Sequence, residues 1–290
     1  MGFLVTFLLV VSVVGLSESV HQYRNNKSPV LLEDAVLQSD FSSDSASGSC
    51  SLGFEIARDV SLKDALARLG SPDWSKTLVA YDFDLTLKAS VFIGKEAKGP
   101  KKAVVRGGEE SLALVKELQA KGARQVVISA AAPSQISYET VKMRMEDIGV
   151  ADLFDLPAKG EFIPMLDGSK AFVAGDVYLP KYSKDACIEL ARKKNGETTI
   201  LFLDDFVVNA FNVASFYVGN GASVTDKPSK LVGIWLDPQP LIDAKQIHLT
   251  GLENSRNSEY KAYVCVAEKD TCFSDMSGLN EAAQACMSSG

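Results

Sequence analysis

Val79-Ala80-Tyr81-Asp82-Phe83-Asp84-Leu85-Thr86-Leu87 is the stretch on which the fold turns, and Thr199-Ile200-Leu201-Phe202-Leu203-Asp204-Asp205-Phe206-Val207-Val208-Asn209 is its counterpart. In each, an apolar run stops at two acids. Such runs suit strands buried in a parallel α/β sheet, whose carboxyl ends are where ligands bind. An Asp behind an apolar strand is often only a helix N-cap or a turn former. Two such pairs, each behind a β-branched or aromatic-rich run, point instead to one shared site. Carboxylates converging from two strand ends make a hard oxygen site suited to Mg²⁺, and one of them can act as a nucleophile.

Outward from these stretches, strands and helices alternate. Residues 78–81, 125–129, 199–203 and 231–236 read as strands, and residues 109–121, 134–147, 184–192 and 207–217 as helices. Ser61-Leu62-Lys63-Asp64 has the form of a capping box, opening a short helix that Gly70 ends. This order predicts a Rossmann-like parallel sheet with helices on both faces and right-handed crossovers.

The motifs resemble those of the haloacid dehalogenase-like (HAD) phosphohydrolases. The first HAD motif, a strand followed by Asp-x-Asp-x-Thr, is matched by Asp82 to Thr86, and the second, a strand ending in Ser or Thr, by Val126-Val127-Ile128-Ser129. The third is a Lys near a helix start, with Lys184 favoured over Lys181, and the fourth an acidic pair after a strand, Asp204-Asp205. The motifs are in order and span about half of the chain. The resemblance implies a HAD-like fold and a Mg²⁺-dependent phosphoric ester hydrolase. In it Asp82 attacks phosphorus to form an aspartyl-phosphate, and Asp84 is the general acid and then the base. Thr86 supports the bend, Ser129 binds a phosphoryl oxygen, and Lys184 offsets the crowded negative charge. Asp82, the Asp84 carbonyl, Asp204 and Asp205 surround the metal, with Asp205 as the direct ligand and Asp204 as helper, a split that is reversible. Asn209 is either a loop-orienting residue or simply a first-turn polar group. Dehalogenases and P-type ATPases lack the second Asp of the first motif, so Asp84 points to phosphate esters.

Cap size bears on substrate. Between Asp84 and the helix at Glu109 lie only about two dozen residues, including Ala89-Ser90-Val91-Phe92-Ile93 and Gly-Pro and Gly-Gly signals. That length predicts a β-hairpin flap. The 154–178 segment reads as irregular or β-rich, leaving room for at most a small cap. An open site of this kind suits a large or macromolecular phosphorylated substrate.

The ends of the chain read differently. Residues 1–19 have the layout of a secretory signal peptide: the apolar run from Phe3 to Leu16 is shorter than the roughly 20 residues of a membrane span. Residues 20–55 are rich in Ser, Asn and Asp and predict a linker or propeptide, with one sequon at Asn26-Lys27-Ser28. The catalytic domain is expected over 56–240 and a C-terminal extension over 241–290, with a strand at 260–266 and a short helix at 278–287. Location is expected to be secreted or extracytoplasmic, with no stable membrane span once the signal is removed.

Apolar residues make up 46% of the chain, enough for a core, and a net charge of −7 without a Lys/Arg block argues against nucleic-acid binding. Of five cysteines, Cys50, Cys265, Cys272 and Cys286 lie outside the motifs and can form two disulfides in an oxidising compartment, in any of three pairings. Cys187 falls on the apolar side of its helix and reads as a buried free thiol. His21 and His248 are the only histidines, which argues against zinc. Two other functions fit the same fold: a non-catalytic binding protein, or a phosphotransferase using the same intermediate.

Overall fold

The computed structural model describes residues 52–57, 61–67, 69–92, 101–219, 227–236 and 285. The chain divides into two units, Met1–Ser47 and Gly48–Gly290, and every described residue belongs to the second. The expected signal peptide, the sequon, the paired cysteines and the 241–290 extension apart from Ala285 lie outside the described residues.

An eight-stranded sheet forms the centre, in the order β1-β10-β9-β2-β5-β8-β7-β6. Its strands are β1 (Leu52–Ala57), β2 (Thr77–Tyr81), β5 (Arg124–Ile128), β6 (Glu161–Pro164), β7 (Lys170–Ala174), β8 (Val177–Leu179), β9 (Thr199–Asp204) and β10 (Lys230–Leu236). From β1 to β8 every neighbouring pair is parallel, while β8–β7 and β7–β6 are antiparallel. The helices are α1 (Lys63–Ala67), α2 (Gly108–Ala120), α3 (Gln135–Asp147), α4 (Lys184–Lys193) and α5 (Val207–Gly219).

Alternate residues of the central strands feed two cores. Leu78, Ala80, Ile200 and Phe202 pack with α4 and α5 residues such as Cys187, Ile188 and Phe211. Val79, Tyr81, Leu201 and Leu203 pack with α1, α2 and α3 residues such as Leu66, Val115 and Met145. Both faces are covered, so these strands carry continuous apolar runs. The protein is an α/β fold with a mostly parallel sheet and helices on both faces.

Two differences from the sequence expectation have physical causes. Leu52–Ala57, placed at the end of the linker, is a strand paired in parallel with β10. The alternation of Leu52, Phe54 and Ile56 is its sequence signal, and residues 52–55 belong to the sheet. The 154–178 segment is β-rich as expected, but its strands extend the main sheet beside β5. The sheet is therefore mixed at that edge. The expected flap is present: β3 (Lys88–Phe92) and β4 (Lys101–Val105) pair antiparallel as a separate two-stranded sheet.

Buried polar contacts fix the helices that carry the site residues. The Arg192 guanidinium donates to both oxygens of Glu189 at 2.7 and 2.8 Å, and the Tyr217 hydroxyl donates to Glu189 at 2.6 Å, tying α4 to α5. Arg124 donates to the Ala191 carbonyl at 2.7 Å and to Tyr178 at 2.9 Å, tying α4 to β5 and β8. On the opposite face the Tyr81 hydroxyl donates to Gln125 at 2.8 Å, and Gln125 donates to the Val115 carbonyl at 2.9 Å. Networks satisfied in this way hold one register in a low-dielectric interior. Among the described residues, no helix is long and apolar enough to cross a membrane.

Candidate active site

β2 and β9 are neighbours in parallel register, so the residues that follow them emerge side by side at the carboxyl edge. Asp82 continues the ladder, its amide donating to the Leu203 carbonyl at 2.8 Å. The chain then folds into a tight turn. Leu87 and Lys88 donate back to the Asp82 and Phe83 carbonyls, and the Leu85 amide donates to the Lys88 carbonyl at 2.7 Å. Leu85 has φ +66°, a left-handed conformation that costs a non-glycine residue roughly 1–2 kcal/mol. Arg106, fully buried, supports it by donating to the Leu85 carbonyl at 2.9 Å.

The two acidic segments are joined at the turn. Thr86 is fully buried, and its hydroxyl accepts from the Asp205 amide at 2.9 Å. Trp235 on β10 donates to the Asp205 carbonyl at 3.0 Å. Asp204 is fully buried and accepts from the Phe206 amide at 2.8 Å and from Asn209 at 3.2 and 3.1 Å. Asn209, on the first turn of α5, thus orients this carboxylate.

Lys184 opens α4 and reaches into the same pocket. Its ammonium donates to Asp82 Oδ1 at 2.5 Å and to Asp204 Oδ2 at 2.6 Å, bridging residues 102 and 20 positions away. Lys181 instead lies over the ring of Tyr182, 4.8 Å from its centroid. Lys184 is therefore the lysine of the site.

Carboxylate oxygens of Asp82, Asp204 and Asp205 all lie within 4.8 Å of one another. Burial pushes the Asp82 carboxyl up, Lys184 pulls it down, and Asp204 and Asp84 push it up again, leaving it at about 7. Burial, then Asp82 and Asp204, hold the Asp205 carboxyl well above its usual range. Burial works against the Lys184 cation, but Asp204 and Asp82 outweigh it and raise its pKa. One lysine faces three crowded acids. This oxygen-rich, electron-rich donor set fits a hard divalent cation such as Mg²⁺.

Two expected residues stand apart from that group. The Asp84 carboxylate, 51% exposed, pairs with Lys88 at 2.7 Å and Arg144 at 3.8 Å. Ser129 is buried at the end of β5, next to β2; its amide donates to the Tyr178 carbonyl and its hydroxyl accepts from the Ala131 amide at 3.4 Å. Sequence reasoning missed Arg106, Lys88 and Arg144. Arg106, between the second flap strand and Gly107-Gly108, left a faint signal: a lone cation where the chain must turn. Lys88 and Arg144 look like ordinary surface charges in the sequence.

Comparison with known proteins adds no relative: no family model, curated protein or solved structure matches this chain.

Proposed function

We propose that the chain is a Mg²⁺-dependent phosphoric monoester hydrolase of the HAD-like type, working through an aspartyl-phosphate on Asp82. The observation that carries this reading is the buried Lys184 ammonium held between Asp82 and Asp204, beside Asp205, at the carboxyl edge of a parallel sheet. A structural ion pair needs one acid for one base. Here three acids surround one lysine, an arrangement suited to binding and transferring a charged group.

In this mechanism Lys184 holds Asp82 Oδ1, so Oδ2 is the attacking atom. It forms a bond to phosphorus as the bond from phosphorus to the ester oxygen breaks in line. Asp84 supplies the proton that the departing oxygen takes up. It then removes a proton from water, whose oxygen attacks the same phosphorus, releasing phosphate and restoring the Asp82 carboxylate. Asp82, Asp204, Asp205 and the Asp84 carbonyl are the groups that would hold Mg²⁺, which when bound neutralises charge on the phosphoryl oxygens. Thr86 and Asn209 keep Asp205 and Asp204 in place, and Ser129 is the candidate donor to a phosphoryl oxygen. The short hairpin flap supports an open site and a phosphorylated substrate of large size, including a macromolecule.

The test is phosphate release from p-nitrophenyl phosphate with and without Mg²⁺, beside Asp82→Asn. Mg²⁺-dependent turnover that falls about a thousandfold or more in the variant is the expected result. Turnover that survives Asp82→Asn would rule out the covalent route.

A further inference from the structure

The two acids at the end of β9 are held in different ways. Asp204, the last residue of the strand, is held by its carboxylate, which accepts from Lys184, from Asn209 and from the Phe206 amide. Asp205, the first residue past the strand, is held by its peptide groups. Its amide donates to the Thr86 hydroxyl at 2.9 Å, on the β2 side, and its carbonyl accepts from Trp235 Nε1 at 3.0 Å, on the β10 side. The Asp205 carboxylate itself meets no hydrogen-bond donor among the described residues. It nevertheless has an oxygen within 4.8 Å of carboxylate oxygens of Asp82 and Asp204, where like charges push it away.

Trp235 is a firm point from which to hold such a residue. It stands in register with Asp204 across the β10–β9 ladder. Only 3% exposed, it belongs to the core cluster that also takes in Val207 and Phe211 of α5. A buried indole N–H needs an acceptor, and many carbonyls would satisfy it. The one it meets belongs to the only acid of the three whose carboxylate is not anchored by a donor among the described residues.

We infer that Trp235 is a positioning residue for the cation site: with Thr86 it clamps the Asp205 peptide from both sides, keeps that carboxylate beside Asp82 and Asp204, and so favours Mg²⁺ over Ca²⁺. The inference rests on the Mg²⁺-dependent hydrolase reading for the identity of the cation, and it adds what makes the site selective. Mg²⁺ demands near-octahedral geometry at short distances, whereas Ca²⁺ accepts irregular and more distant oxygens. A ligand fixed through its backbone on two sides suits the first. Trp235 acts through Asp205 alone.

Calorimetry of Mg²⁺ and of Ca²⁺ binding to the metal-stripped chain tests this, beside Trp235→Phe and, as control, Trp74→Phe, which replaces the other tryptophan. Turnover of p-nitrophenyl phosphate is followed against Mg²⁺ concentration in the same three chains. Trp235→Phe removes the donor and keeps an aromatic ring; if it does not fold, a benzothienylalanine at 235 in the Trp74→Phe background replaces only the N–H by sulfur. The expected result is Mg²⁺ affinity about tenfold weaker without the donor, since partners behind a metal ligand typically account for roughly 10–100-fold. Ca²⁺ affinity should change by less than about threefold, because its coordination is tolerant. The Mg²⁺ concentration for half-maximal turnover rises with the loss of affinity, while the rate at saturating Mg²⁺ is largely regained. Trp74→Phe matches the unsubstituted chain. A residue that merely fills the core would lower stability and leave all of these affinities in place. Unchanged Mg²⁺ affinity in the folded variant, an equal loss for both cations, or no Mg²⁺ binding by the unsubstituted chain overturns the clamp. Unchanged affinity alongside Mg²⁺-dependent turnover would leave the hydrolase reading standing. A selective loss of Mg²⁺ affinity in chains that do not hydrolyse p-nitrophenyl phosphate would support the clamp and count against the hydrolase.

Discussion

At the scale of single residues, Lys184 carries the largest electrostatic burden. Its ammonium is the partner of two buried carboxylates, Asp82 and Asp204. Removing one member of a buried ion pair typically costs about 3–5 kcal/mol, because the charges left behind are neither paired nor hydrated. Lys184→Met is therefore expected to lower the urea midpoint strongly in metal-free buffer and to regain part of that loss when Mg²⁺ is added. A loss below about 1 kcal/mol would mean that the pair is far better solvated than its burial implies. The aspartates of this site were legible in the sequence because each pair is local: an apolar run, an abrupt stop and two acids. Lys184 was legible through the amphipathic helix that it opens, about one helix and one turn before Asp204. Lys88, Arg144 and Arg106 were not legible, since a cation's role depends on which acid or carbonyl it meets, and those partners lie on other turns of the chain.

Among the elements, the junction between flap and helix α2 leaves no room for a side chain at Gly107. Gly107 has φ +74°, and a Cβ there would stand 2.4 Å from the Ser61 Cα and 2.6 Å from the Ser111 hydroxyl oxygen. That hydroxyl accepts from the Leu62 amide at 2.9 Å, so the junction also holds the start of α1. Gly108, with φ +64°, has open space around it. Gly108→Ala is expected to cost only backbone strain, about 1–2 kcal/mol. Gly107→Ala adds a collision with backbone and should cost distinctly more, with displacement of the Arg106 side chain that supports Leu85. Chemical denaturation of the two variants side by side checks the order; equal losses would show that the junction yields. The helices and central strands agree with the sequence to within a residue or two at most ends, because capping residues and closing glycines such as Ser134 and Gly122 mark them. Strand β1 escaped notice because Leu52, Phe54 and Ile56 follow a long polar stretch, and so few residues carry weak periodicity. The sheet-extending role of β6 to β8 was hidden for a different reason: local sequence says that a strand forms, not which neighbour it joins.

For the molecule as a whole, the raised carboxyls of Asp82 and Asp205 link folding to protons and metal. From the ordinary Asp value of 3.8 up to about 7 for Asp82, the folded chain binds protons more tightly than the unfolded one. Stability contributed by these groups therefore falls as pH rises through that window. A divalent cation binds the ionised carboxylates, so its stabilising effect grows over the same window. Thermal melting from about pH 5 to 8 should show a declining midpoint without metal and a widening gap on adding Mg²⁺. A gap that stays constant with pH would place the cation away from these acids. Composition and element order sufficed to foresee a layered α/β molecule, but not its strand order, which depends on contacts between distant stretches. That order also shapes how the chain is made. β9 lies between β2 and β10, and β2 hydrogen-bonds to β9 along residues 77–81. Until residue 204 has left the ribosome, one whole side of β2 is a bare row of amides and carbonyls flanked by apolar side chains. A nascent or prematurely terminated product is then a template for pairing with its neighbours. Stop codons before Thr199 should accordingly yield insoluble, chaperone-bound material rather than a smaller folded protein.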